Sequence, residues 1–155
     1  MINQKDIVAL SAGNVNTEEL PWIPYFGEAK FKLIKANPVT GQTITLLKVP
    51  ANMQLPAHFH PGSVIVYTVQ GEWRYMEEDW VSKAGDVVYE PAGSTHTPQG
   101  LGTEDVITFN IVEGTLDYLG ENGEVIARDG WESFLKKYHD HCAAEGIEPV
   151  DVTQF

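Results

Sequence analysis

The chain has 155 residues, about one domain's worth and enough to bury a core without disulfide or metal staples. With 22 acidic against 10 basic residues, its formal net charge is -12, the wrong sign for gripping a nucleic-acid backbone or an anionic membrane. An apolar fraction of 43% excludes a disordered chain, and the single cysteine, Cys142, excludes an intrachain disulfide and fits a reducing cytoplasm.

At the N-terminus, the apolar run 7–10 is too short for a signal-peptide core, and no apolar stretch reaches the roughly 18 residues of a membrane span. Residues 1–30 read as an arm, with Pro21 and Pro24 flanking Trp22 and Ile23, that packs on the rest of the domain or on a second subunit. Short apolar or β-branched runs follow at 31–36, 43–49, 63–69, 72–76, 86–90 and 105–112. Turn residues separate them: Asn37-Pro38 with Gly41, Pro61-Gly62, Gly71, Gly85, Pro91-Ala92-Gly93, Gly100 with Gly102, and Gly114. This spacing predicts an all-β sandwich or barrel of antiparallel strands over 31–127.

The tail changes period. Trp131, Phe134, Leu135, Tyr138 and Cys142 recur as one helix face, predicting a C-terminal helix over 130–145, with Asp129 as N-cap, Glu132 three residues on, and Gly146 at its end. His139, Asp140 and His141 do not share a face and read as solvated, while Cys142 reads as a small buried hydrophobe. The whole, 1–155, is expected to be a single domain, and exposed strand edges with a long arm suggest a homodimer.

The chemistry concentrates in three histidines. In His58-Phe59-His60 the strand period sends both imidazoles to one face and Phe59 to the other. His96 follows the tight turn Pro91-Ala92-Gly93-Ser94-Thr95, which lets the chain re-enter beside the pair. Three converging imidazoles suit iron, zinc, copper or nickel with open coordination positions. Glu90 lies six residues before His96 and reads as a fourth ligand, an acceptor behind the ligands, a proton acceptor, or a strand-end carboxylate tied to Arg74 or a backbone amide. Val64 and Val66 share one apolar strand face, and Trp73, Tyr75, Trp80 and Tyr89 add aromatic mass nearby; Val64, Val66, Trp73, Tyr75 and Tyr89 are the expected pocket walls, with plain core packing the competing reading.

The segment Gly85-Asp86-Val87-Val88-Tyr89-Glu90-Pro91-Ala92-Gly93-Ser94-Thr95-His96 resembles the second cupin motif, and His58-x-His60, Val64 and Gly71 follow the spacing of the first. The resemblance to the cupin superfamily implies an RmlC-like double-stranded β-helix, a jelly-roll barrel, followed by the helix. Three positions depart from the motifs: Asn52 and Gly100 at their ends, and Val64 where a glutamate ligand belongs. The implied metal ligands are therefore His58, His60 and His96, all neutral, so a divalent metal keeps its full charge until an anionic chelating ligand arrives.

This set is similar to that of the three-histidine cupins, the 2,4'-dihydroxyacetophenone and acetylacetone dioxygenases. Residues 71–80 and 89–97 resemble the former, and residues 114–131 the latter. The resemblance implies a mononuclear non-haem Fe(II) dioxygenase that takes dioxygen and a small ketone and cleaves a carbon-carbon bond of a β-diketone or α-hydroxyketone, with Glu90 handling the proton; Zn(II), Ni(II) or Mn(II) are the alternative metals. Two other readings stand beside it: a non-catalytic zinc- or ligand-binding sensor similar to the cupin domains of anti-sigma factors, and an isomerase or hydrolase on the same scaffold.

Overall fold

The structure, a computed structural model, describes residues 12–154, so the run 7–10 and the first part of the expected arm lie outside the described residues. Among the described residues, a short 3-10 turn, Thr17–Glu19, precedes thirteen strands and one helix. The strands are β1 (Ile23–Pro24), β2 (Lys30–Ala36), β3 (Thr43–Val49), β4 (His58–His60), β5 (Val64–Gln70), β6 (Glu72–Tyr75), β7 (Ser82–Lys83), β8 (Val87–Glu90), β9 (Ser94–His96), β10 (Pro98–Leu101), β11 (Val106–Val112), β12 (Leu116–Leu119) and β13 (Val125–Asp129). The helix α1 spans Trp131–Glu145.

Each expected run is a strand with ends displaced by at most one residue. The runs gave no warning of β1, β7, β9, β10, β12 and β13, which are two to five residues long; four of the five β13 side chains are exposed, so no apolar alternation marks it. The strands form a six-stranded sheet in the order β1-β2-β3-β11-β5-β8, a four-stranded sheet β13-β12-β4-β9 and a three-stranded sheet β10-β6-β7, all with antiparallel pairing.

Alternation decides which side chains enter the barrel. In β5, Val64, Val66 and Thr68 are buried while Ile65, Tyr67 and Val69 are exposed; in β11, Val106, Thr108, Asn110 and Val112 are buried. Gly71 joins β5 to β6 at φ 80°, and a Cβ there would lie 2.9 Å from the Asp105 carbonyl oxygen, so both the backbone conformation and the close approach require glycine.

The helix lies against β2, with further contacts to β1 and β13. Phe134, Tyr138 and Cys142 are buried against Ile23, Phe31 and Leu33, while Trp131 and Leu135 pack beside them. Gly146, left-handed at φ 67°, ends α1. The N-cap differs from expectation: it is Gly130, whose N–H donates to Ser133 Oγ at 2.9 Å. Asp129 is the last residue of β13, and its buried carboxylate accepts from the side chains of Tyr118 and Ser133, not from the free backbone N–H groups of the first helical turn. His139 and Asp140 are exposed and His141 is half-buried. Among the described residues, no helix is long and apolar enough to cross a membrane.

Candidate metal centre

β4 pairs with β9 so that His58 stands directly opposite His96 and His60 opposite Ser94. Cross-strand partners share a face, so all three side chains leave their strands on the same side, and each is at most 7% exposed. Their ring centroids are 4.7 Å apart for His58 and His60, 6.3 Å for His58 and His96, and 6.2 Å for His60 and His96. Phe59 points away, as the strand period requires.

Glu90 arrives from β8, in the other large sheet, and is 3% exposed. Its Oε1 accepts from the Tyr75 hydroxyl, and its Oε2 lies 3.1 Å from His60 Nε2 and 3.9 Å from His96 Nε2. The sequence-based link to Arg74 is not made: Arg74 donates from Nε and Nη2 to Gln99 Oε1 at 3.1 and 3.0 Å, because β6 pairs with β10 and not with β8.

Burial sets the charges. Desolvation lowers His58 to about 4; it lowers His60 to about 3, where the neighbouring histidines add to the effect, and it lowers His96 too. Desolvation raises Glu90 to about 8. At neutral pH the histidines are thus neutral, the form that ligates a metal.

Hydrogen-bond arithmetic fixes two tautomers. His58 Nδ1 lies 3.2 Å from the Pro56 carbonyl, which only accepts, so Nδ1 carries the proton and Nε2 keeps its lone pair, the arrangement typical of a metal-ligating histidine. Ser94 Oγ donates its one hydrogen to the Pro91 carbonyl at 2.6 Å, so it must accept from His96 Nε2 at 2.7 Å. His96 also stacks on Tyr75, with ring centroids 4.2 Å apart.

The barrel encloses a cavity of about 110 Å³, several times the roughly 10–15 Å³ that one water requires. Val64, Val66, Trp73 and Tyr75 line it, together with His58, His60 and Glu90. Tyr89 does not: it is 64% exposed on the outer side of β8, because Glu90 beside it faces inward. Trp80 is part-exposed and touches the Trp73 and Tyr75 rings edge-on. Sequence reasoning missed Tyr25 and Tyr118, which also line the cavity and which burial keeps protonated. Tyr118 sits opposite His58 in a strand too short to be recognised, and Tyr25 comes from the arm, where no motif marks it.

Among the described residues, three buried side-chain polar atoms make no hydrogen bond: Thr43 Oγ1, His60 Nδ1 and, despite its 3.1 Å approach to His60 Nε2, Glu90 Oε2. All three belong to cavity-lining residues. Buried polar groups left unpaired are costly, so these atoms suit a polar occupant. Also among the described residues, no three His, Cys, Asp or Glu side chains are already drawn together around one metal position. The 6.2 Å and 6.3 Å ring separations of His96, held to Ser94, account for this. The donor set itself, three neutral imidazoles beside a carboxyl, fits a first-row divalent ion once His96 turns inward.

A family model described as ChrR Cupin-like domain matches residues 11–125. An RmlC-like cupin protein from Ralstonia eutropha JMP134 shares 47% identity and superposes with a TM-score of 0.89, covering 94% of this chain and 96% of that one. An acetylacetone dioxygenase from Acinetobacter johnsonii, at 18% identity, superposes with a TM-score of 0.74 over 90% of this chain and 97% of that one. A chain from the complex of Rhodobacter sphaeroides SigE with the anti-sigma ChrR, at 22% identity, gives 0.55 over 63% of this chain and 52% of that one. The last two are likenesses of fold. No curated protein matches the sequence. With residues 11–125 matched and the β-barrel and C-terminal helix in place, the chain belongs to the ChrR cupin-like family and has the all-β cupin jelly-roll fold.

Proposed function

We propose that the protein is a mononuclear non-haem Fe(II) dioxygenase that cleaves a carbon-carbon bond of a β-diketone or α-hydroxyketone held in the barrel cavity. The observation that carries this reading is the cluster of His58, His60 and Glu90 in the wall of a mostly apolar cavity, with unpaired atoms on His60 and Glu90 and with His96 alongside. The fold likeness to an acetylacetone dioxygenase supports it.

His58, His60 and His96 would hold the metal, which when bound supplies Lewis acidity and redox reactivity toward dioxygen. His58 is oriented for this by its Nδ1–H bond to Pro56. Glu90 takes the proton from the carbon next to the carbonyl, a role suited to a carboxyl raised to about 8, near the working pH. Tyr75 donates to Oε1 and keeps the other oxygen turned to the histidines. Val64, Val66 and Trp73 receive the alkyl or aryl part and exclude water. One ketone and one dioxygen then give two carbonyl or carboxyl products.

A second reading, a non-catalytic zinc- or ligand-binding sensor, is favoured by the family match and by the likeness to the SigE–ChrR complex. Anaerobic loading with Fe(II), then oxygen uptake on adding acetylacetone or 2,4'-dihydroxyacetophenone, separates the two. Uptake with cleaved products that disappears in His96→Ala is expected; tight zinc binding with no uptake from either ketone would favour the sensor.

A homodimer is part of the proposal. The outer face of β3, β11, β5 and β8 carries an apolar row, Leu46, Phe109, Tyr67 and Val87, in direct cross-strand register. On a chain of net charge -12, none of these four strands has a carboxylate on that face, which suits an identical, equally acidic partner.

A further inference from the structure

Tyr118 on β12 lies directly across from His58 on β4, with ring centroids 6.4 Å apart. Its hydroxyl donates to Asp129 Oδ2 at 2.9 Å. Asp129 also accepts from Ser133 Oγ at 2.7 Å and from Lys137 Nζ, so three donors converge on one carboxylate. On its other side the Tyr118 hydroxyl is hydrogen-bonded to the hydroxyl of Tyr25, a cavity-lining residue. The line therefore runs from the cavity wall through two phenols to a carboxylate anchored at the start of α1.

A phenol carries one hydrogen. That of Tyr118 goes to Asp129, so the hydrogen between the two phenols is the one on Tyr25. Tyr25 Oη thus spends its only proton on Tyr118 and has nothing but lone pairs left to offer the cavity. Its ring packs on Phe26, Phe31 and Phe134 at centroid separations of 4.6, 5.5 and 6.0 Å, so the acceptor sits in an aromatic wall. A site of this kind discriminates sharply, because a ligand that cannot donate leaves the buried acceptor unpaired or sets two acceptors against each other.

We infer that Tyr25 is a specificity-determining residue whose Oη accepts a hydrogen bond from a ligand hydroxyl in the cavity, with Tyr118 and Asp129 as the positioning residues that fix it as an acceptor. The inference rests on the cavity being the ketone site, and it narrows the ligand to one with a donor hydroxyl remote from the chelating oxygens.

The test is equilibrium binding under argon to the metal-loaded protein, followed by tryptophan fluorescence, since Trp73 lines the cavity. The probes are 2,4'-dihydroxyacetophenone, 2-hydroxyacetophenone and 2-hydroxy-4'-methoxyacetophenone, which place a donor, nothing or a pure acceptor at the remote position. The donor ligand should bind at least about tenfold tighter than either of the others, roughly the worth of one such hydrogen bond. In Tyr25→Phe that preference should vanish while affinity for 2-hydroxyacetophenone is kept; a structural role alone would weaken all three ligands equally. Equal binding of the three probes to the unaltered protein overturns the inference and leaves the ketone site standing. Binding of none of them overturns both.

Discussion

Val64 and Glu90 are direct cross-strand partners on β5 and β8, both facing the barrel interior. Opposed side chains start roughly 4.5–5.5 Å apart at Cβ. A carboxyl therefore stands on the strand beside position 64, at the same level of the barrel, with its Oε2 3.1 Å from His60 Nε2.

Glu90→Gln keeps the shape and the Tyr75 contact but removes the ionisable group. Turnover should fall by about a hundredfold or more, the usual worth of a positioned general base, with metal content unchanged. Oxygen uptake alongside metal analysis checks this; full turnover at full occupancy would take Glu90 out of the mechanism.

On the proposed reading metal should stabilise the fold, because His58 and His60 on β4 and His96 on β9 would hold it together only when those strands are paired. At a free concentration about a hundredfold above Kd the gain is about 2.7 kcal/mol, which for a chain of this size raises Tm by about 5–10 °C. Thermal unfolding before and after chelator treatment reads it, and His96→Ala should abolish the difference.

Metal-free protein should lose stability on both sides of about pH 6.5. Buried His58 and His60 are depressed to about 4 and about 3 from an ordinary 6.5, so below 6.5 the unfolded chain binds protons that the folded one refuses, and stability falls with pH. Glu90 is raised from 4.5 to about 8, so the folded state holds a proton the unfolded state has lost, and stability falls as pH rises through that window. Each group contributes a slope of up to about 1.4 kcal/mol per pH unit. Urea unfolding of chelator-treated protein at several pH values would show the maximum, and Glu90→Gln should flatten the alkaline side; an unaltered alkaline slope in that variant contradicts the assignment.

The outer row predicts the assembly. Tyr67→Asp places a carboxylate at the middle of the Leu46, Phe109, Tyr67, Val87 row, on an exposed position that tolerates it in the monomer. Sedimentation should show a dimer for the unaltered chain and a monomer for the variant, with similar Tm for the isolated barrel. A monomer in both cases removes the dimer.

Much of the barrel was legible because burial on one face imposes a period of two. Runs such as 43–49 and 105–112 carry it, and their ends were placed within a residue. Short strands escaped, since two to five residues such as those of β7 or β12 are too few to show a period. The helix was clear from its apolar stripe, but its cap was displaced because Asp129 is claimed by Tyr118, a partner eleven residues earlier.

The sequence by itself determined which strands alternate, where the helix runs and that His58 and His60 share a face, because these depend on neighbours a few residues apart. Only the tertiary structure decided that Glu90 stands opposite Val64 and beside His60, that Tyr89 faces out, that Ser94 holds His96 aside, and that Tyr25 is tied through Tyr118 to Asp129. Strand register and sheet closure set those pairings, joining residues up to 93 positions apart, a separation that local periodicity cannot encode.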